Sequence, residues 1–199
     1  MIAALLLGAL VVAQAAPVPP QQEPLTVNRA PVQVVPPPGM RSAPSRAVDR
    51  QFAMAAMQSS NAELAMAQLA VRRGRTDEVK SFAKKMISEH LGLMQALGPE
   101  AKRVLGATAV PALAPPDALT MYRLEHVADV DFDQTYVLAQ VGGHLATLGA
   151  FQTEDEDGAD QRLKTVAKQW TPTIQSHLQL AIDITQHIGG DSPLKTGAQ

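Results

Sequence analysis

The sequence predicts an all-α protein with a four-helix bundle at its core. In four long segments, apolar residues recur three and four positions apart, which is the spacing of one face of a helix. Apolar residues make up 46% of the chain and aromatic residues only 4%, so alanine, leucine, valine and methionine must form most of the core. Each segment also carries one polar residue on its apolar face. These four residues are Glu63, His90, His144 and His177.

Segment 1–15 is predicted to be a signal peptide. Residues 2–13 form an uncharged apolar run, and Ala13 and Ala15 fit the small-residue rule for cleavage. The run is too short to span a bilayer. We therefore expect an exported protein, periplasmic or associated with the outer membrane, that has no transmembrane anchor after cleavage. The chain contains no cysteine, so disulfides and thiolate metal ligands are excluded.

Segment 16–46 is predicted to be a disordered linker. It holds most of the 15 prolines of the chain, and a segment of this composition is extended and unpacked. The bundle is predicted to occupy residues 47–188, and residues 189–199 are predicted to be a flexible tail.

The first two helices are predicted over residues 48–73 and 77–97. Gly74 ends the first helix, and Thr76 caps the second, whose first turn carries Asp77 and Glu78 near the positive end of the helix dipole. The short connection between them makes these helices an antiparallel hairpin. The dipeptide at 98–99, glycine followed by proline, is expected to end the second helix.

The connection 98–130 is unusually long. It is predicted to contain a short helix at 117–127 and to cross the bundle from one end to the other. A long crossover between the second and third helices is the ferritin-like topology, in contrast to a bundle that has only short loops.

The last two helices are predicted over residues 131–155 and 161–187. Asp131 and Asp160 are their expected N-caps. Gly142 and Gly143 weaken the third helix, and close approach of another helix or a ligand would explain them. Pro172 predicts a kink or short break in the fourth helix, about one turn before His177.

The four polar residues are expected to lie in one layer. Glu63 and His90 are equally distant from the first turn, and His144 and His177 are equally distant from the second. Each pair is therefore level, given the rise of about 1.5 Å per residue in a helix. If the two hairpins pack with their turns at the same end, all four side chains meet inside the bundle.

Two roles for this cluster follow from its chemistry. One carboxylate and three imidazoles suit a single divalent transition metal such as Zn, Fe, Mn or Cu. Alternatively, the side chains satisfy one another by hydrogen bonds and fix the helix register. The paired Glu-x-x-His motifs of di-iron proteins are absent, which argues against a di-iron centre. Met86, His90 and Met94 lie along one stripe, an arrangement that would favour copper(I) unless the methionines only fill the core.

Four stretches of the chain, each short, resemble one known family. They lie at 61–70, 79–90, 132–144 and 172–178 and include all four polar residues. In this respect the chain resembles the bacterial exported family catalogued as domain of unknown function 4142, in the ferritin-like group. The resemblance implies a fold and an exported location but no established activity. The chain departs from the family pattern at Ala65, Glu89 and Gly143, where the family usually or often has an acid, aspartate at the last two.

The composition narrows the function further. A net charge of −2 without a basic patch gives no case for nucleic acid. No nucleophile–base pair, phosphate loop or cofactor motif is present. The sequence thus favours a non-enzymatic binding or stress-related envelope protein, which could have an envelope protein partner. The alternative is a mononuclear metal-binding protein that uses Glu63, His90, His144 and His177. His126 and His187 are expected on the surface.

Overall fold

A computed structural model describes residues 44–106 and 112–190, and this part of the chain is helical. Its five helices are α1 (Arg46–Arg73), α2 (Asp77–Leu105), α3 (Pro115–His126), α4 (Asp129–Asp157) and α5 (Gln161–Gly190). The described residues contain no strand, only an isolated bridge between Ser45 and Gly158. None of these helices is both long and apolar enough to cross a membrane. The expected signal peptide, linker residues 16–43 and tail residues 191–199 lie outside the described residues.

Helices α1 and α2 form the expected antiparallel hairpin. The Thr76 side chain accepts a hydrogen bond from the backbone N–H of Val79, so the predicted N-cap is confirmed. The Gly74 N–H donates to the carbonyl of Ala70 and ends α1.

The predicted end of α2 is wrong, because the helix continues through Pro99 to Leu105. Proline has no N–H and removes one hydrogen bond from the helix. The apolar stripe nevertheless continues beyond it, since Leu97 and Ala101 are both buried in the core. This burial offsets the lost hydrogen bond, and α2 ends at Gly106, whose φ of 67° is the left-handed conformation typical of a helix end.

The connection between α2 and α4 crosses from one end of the helices to the other. Arg103 near the end of α2 pairs with Asp160 in the α4–α5 turn, whereas Asp133 near the start of α4 contacts the α1–α2 turn. Helix α3 lies in this connection and packs on α1 and α4. The Arg73 side chain donates to the carbonyls of Leu124 and Val127 and holds the end of α3 in place.

Two further local predictions need correction. Helix α4 begins at Asp129 with Ala128 as its N-cap, and no side chain caps it, so Asp131 is not the cap. Helix α5 runs through Pro172 without the short break that was one of the two expected effects, while the other, a kink, stays a prediction. The predicted cap Asp160 is confirmed, because it accepts hydrogen bonds from the backbone N–H groups of Arg162 and Leu163.

The two hairpins pack side by side, with α1 against α4 and α2 against α5. Their turns lie at opposite ends, contrary to the arrangement assumed from the sequence. The Asp133 carboxylate of α4 accepts hydrogen bonds from the backbone N–H groups of Arg75 and Thr76 in the first turn. The Asp49 carboxylate of α1 accepts hydrogen bonds from the backbone N–H groups of Ala159 and Asp160 in the second turn. We call Asp133 and Asp49 the clamp aspartates.

The buried apolar residues form two clusters that succeed each other along every long helix. One contains Met66, Met86 and Phe132, and the other contains Leu93 and Leu148. The boundary between the clusters falls near the middle of each helix. Buried polar side chains occupy this boundary, and we call them the polar layer: Glu63, His90, Tyr136, Gln140, His144 and His177.

Candidate metal centre

The polar layer contains the one polar residue that the sequence singled out on each long helix. Relative exposure is 3% for Glu63, 2% for His90 and 1% for each of His144 and His177. All four are buried, as their stripe positions predict. The layer forms even though the turns lie at opposite ends, because the helices have 28 to 30 residues and each polar residue lies near a midpoint. Reversing one hairpin therefore leaves its midpoint at nearly the same height.

The three histidines face one another. The ring centroids of His90 and His144 are 5.8 Å apart, those of His90 and His177 are 5.5 Å apart, and those of His144 and His177 are 5.2 Å apart. Each ring offers one nitrogen such that the three nitrogens lie within 4.8 Å of one another. The histidines thus form a compact, buried, nitrogen-lined cluster.

Two of the rings are oriented by hydrogen bonds at their other nitrogen. In His144, Nδ1 lies 2.9 Å from the carbonyl oxygen of Gln140, so it must carry the proton it donates. In His177, Nε2 is bonded to the Glu89 carboxylate. These partners leave Nε2 of His144 and Nδ1 of His177 as lone-pair donors. Metal-ligating histidines are oriented in this way by carbonyl or carboxylate partners.

Glu89 is a member of the site that the sequence reasoning missed as a functional residue. Its carboxylate bonds to both Lys85 and His177. Burial alone would raise the pKa of Glu89, but hydrogen bonds from Lys85 and His177 outweigh it and hold the pKa below its usual value. The clue to Glu89 in the sequence is its position directly before His90. Successive side chains of a helix point about 100° apart, so Glu89 lies near the cluster but points in another direction than His90. Glu89 therefore faces the neighbouring helix rather than the cluster centre.

Glu63 lies beside the histidines. Its Oε1 atom is 3.9 Å from Nδ1 of His144, and the group of nitrogens within 4.8 Å comprises the histidines alone. A Cβ atom at position 143 would lie only 2.9 Å from this Oε1, so Gly143 provides the close approach that the sequence suggested. Burial raises the pKa of Glu63 to about 8.

Many polar atoms of this layer have no hydrogen-bond partner within the described chain. Tyr136 and Gln140, which the sequence reasoning did not single out, belong to this group together with the four expected residues. The unpartnered atoms are Oε2 of Glu63, both ring nitrogens of His90, the Tyr136 hydroxyl, both amide atoms of Gln140, Nε2 of His144 and Nδ1 of His177. Hydrogen bonds among the described residues therefore leave these atoms of the cluster unsatisfied.

Burial keeps the imidazoles neutral. It lowers the pKa of His144 to about 3, with the neighbouring His177 adding to the effect. Burial also lowers the pKa of His90, well below its usual value, and that of His177, which Glu89 partly restores. Neutral imidazole is the form that binds a metal ion, so no proton has to leave these rings before coordination.

The remaining histidines and methionines lie elsewhere. His126 and His187 are exposed, as expected. Met86 is buried in the first apolar cluster, whereas Met94 packs against the second. The two thioethers therefore lie on either side of the polar layer, in apolar surroundings.

The fold and the site together define an all-helical protein that encloses a cluster of three histidines and one glutamate. A comparison with family models identifies the family. The chain belongs to the family described as Domain of unknown function (DUF4142), whose model matches residues 35–184. No curated protein and no solved structure matches the chain.

Proposed function

We propose that this protein binds one divalent transition-metal ion, with His90, His144 and His177 as ligands and Glu63 beside them. The observation that carries the proposal is the set of unpartnered polar atoms in the buried polar layer. A buried polar group without a partner costs about 1–3 kcal/mol, and native proteins bury few such groups. Several in one layer indicate that a bound species normally satisfies them.

The donor chemistry favours an ion of the zinc type. Imidazole nitrogens suit Zn, Cu, Fe and Ni, whereas Mg and Ca prefer oxygen ligands. A tetrahedral ion with Zn–N distances of about 2.0 Å needs nitrogens roughly 3.3 Å apart. The three nitrogens lie within 4.8 Å of one another, so small side-chain rotations would bring them to a common ion. Glu63 and Glu89 would balance its double positive charge.

The same proposal includes an architecture and a location. The cyclic packing of α1, α2, α5 and α4, with α3 in a long crossover, supports a ferritin-like four-helix bundle. The apolar run at residues 2–13 and the small residues that follow it support export to the cell envelope. We therefore propose an envelope protein that holds a single metal ion, without the paired Glu-x-x-His motifs of di-iron proteins.

Zinc binding to untagged protein tests this proposal. We expect wild-type apoprotein to take up one equivalent of Zn²⁺ in a calorimetric titration, and replacement of His90, His144 or His177 by alanine to abolish this uptake. The exposed residues His126 and His187 provide matched controls, whose alanine variants should bind as wild type does. Circular dichroism would establish that each variant is folded. Absence of stoichiometric zinc in wild type, or its retention in all three cluster variants, would refute the proposal.

A further inference from the structure

A groove between α1, α3 and α4 leads to the polar layer. We call it the α3 groove. Its volume is about 510 Å³, and its rim includes the exposed residues Leu138 and Ala146 of α4. Glu63 also lines the groove, although it is almost completely buried. Glu63 is thus the residue at which the groove meets the polar layer.

Glycine at position 143 makes this connection possible. Gly143 lines the groove, and its missing side chain lets the Glu63 carboxylate reach the α4 backbone next to His144. A larger residue at 143 would force the carboxylate to move. The α4 backbone therefore leaves room for one carboxylate at the deep end of the groove.

The groove is also suited to a cation by its charge. Asp117 of α3 lines it and is partly buried, and Glu63 of α1 lines it as well. The two carboxyl groups thus face the same groove. The described lining contains no lysine, arginine or histidine, so no cationic side chain in it offsets the negative charge of Asp117. Clefts lined by one sign of charge raise the local concentration of counter-ions.

The opposite face of the layer, between α2 and α5, differs in charge. The Glu89 carboxylate lies at that face, and it is already bonded to His177 and to Lys85. The ammonium group of Lys85 would repel an approaching cation. Of the two faces, the α3 groove is therefore the one that attracts a metal ion.

We infer that metal ions reach the histidines through the α3 groove, attracted by Asp117 and passed on by Glu63. This inference rests on the proposed metal site. It assigns Glu63 to the entrance and to the margin of the site, and it gives α3 a role beyond connecting two helices.

Stopped-flow measurement of Zn²⁺ uptake, with a chromogenic chelator as competitor, tests the route. We expect Asp117→Asn to slow association by about fivefold and to change the dissociation rate much less, because the Asp117 charge attracts the ion before the ligands bind it. Ala146→Phe should slow uptake by narrowing the rim. Asp131→Asn, which removes an exposed acid of α4 outside the groove, is the matched control and should load at the wild-type rate.

The outcomes separate the route from the site. If wild type takes up no zinc, both the site and the route are refuted. If wild type binds zinc but Asp117→Asn and Ala146→Phe load at its rate, the site stands and the route is wrong. Faster loading of Lys85→Met, without slowing by Asp117→Asn, would place the entrance between α2 and α5. Weaker binding by Asp117→Asn at an unchanged association rate would also contradict the route.

Discussion

The clamp residue Asp133 and the cluster residue His90 are both buried, yet only Asp133 uses its hydrogen-bonding capacity within the described chain. Asp133 accepts the N–H groups of Arg75 and Thr76 and the Thr76 hydroxyl. His90, at the middle of the bundle, has no partner for either ring nitrogen. Buried polar groups that hold a structure together are normally paired. The difference distinguishes Asp133, which fastens a turn, from His90, whose ring nitrogens have no partner in the fold.

The largest expected effect concerns the clamp at the α1–α2 turn. Asp133→Ala should destabilise the protein by about 2–4 kcal/mol, because it leaves two backbone N–H groups without their acceptor. Asp131→Ala, an exposed change on the same helix, should cost less than about 0.5 kcal/mol. Urea unfolding would measure both. If the destabilisation caused by Asp133→Ala disappeared when zinc is added or removed, the distinction between the clamp aspartates and the polar layer would be wrong.

The second expected effect is a pH dependence of stability at the clamp aspartate Asp49. Glu154 is buried beside Asp49, and burial together with the charge of Asp49 raises the pKa of Glu154 from 4.5 to about 8. Asp160 raises it further and Lys164 opposes the shift. Between pH 4.5 and pH 8 the folded protein then binds more protons than the unfolded chain. The contribution of Glu154 to stability is therefore complete below pH 4.5 and is lost as the pH rises through 8.

Glu154→Gln should therefore flatten the decline in stability of the apoprotein between pH 5 and pH 8. We expect wild type to lose roughly 1–3 kcal/mol more than the variant over this range. The contribution of Glu63 to stability also declines as the pH rises, but Glu63 is present in both proteins. The difference between their two pH profiles therefore reports Glu154 alone. Urea unfolding with a chelator present provides the measurement. Parallel pH profiles would show that the Glu154 carboxyl does not titrate as its buried position requires.

The smallest expected effect has the opposite sign. His90→Leu should stabilise the apoprotein by about 1 kcal/mol, because an apolar side chain replaces a buried ring with two unpartnered nitrogens. His187→Leu, at an exposed position, should change stability by less than about 0.5 kcal/mol. Unfolding in the presence of a chelator tests the pair. Destabilisation by His90→Leu of the size expected for a clamp would make His90 a structural residue.

Periodicity alone predicted the helices and the burial of Glu63, His90, His144 and His177, because burial follows from a position on the apolar stripe. It could not fix the relative direction of the two hairpins. The four residues lie near helix midpoints, so either direction brings them together. The end of α2 was mispredicted because the stripe continues past Pro99, and burial of Ala101 outweighs a local breaker. Glu89 becomes part of the site only through its contact with His177 of the neighbouring helix, whereas the Gln140 carbonyl reaches His144 within α4.

The most direct test of the central claim is an anomalous difference map, recorded at the zinc edge from crystals of untagged protein loaded with one equivalent of Zn²⁺. The account predicts one strong peak among His90, His144 and His177. An exposed pair, His187 and Glu78 with Nδ1 and Oε1 3.1 Å apart, offers a surface alternative. A peak at that pair and none in the polar layer would contradict the account.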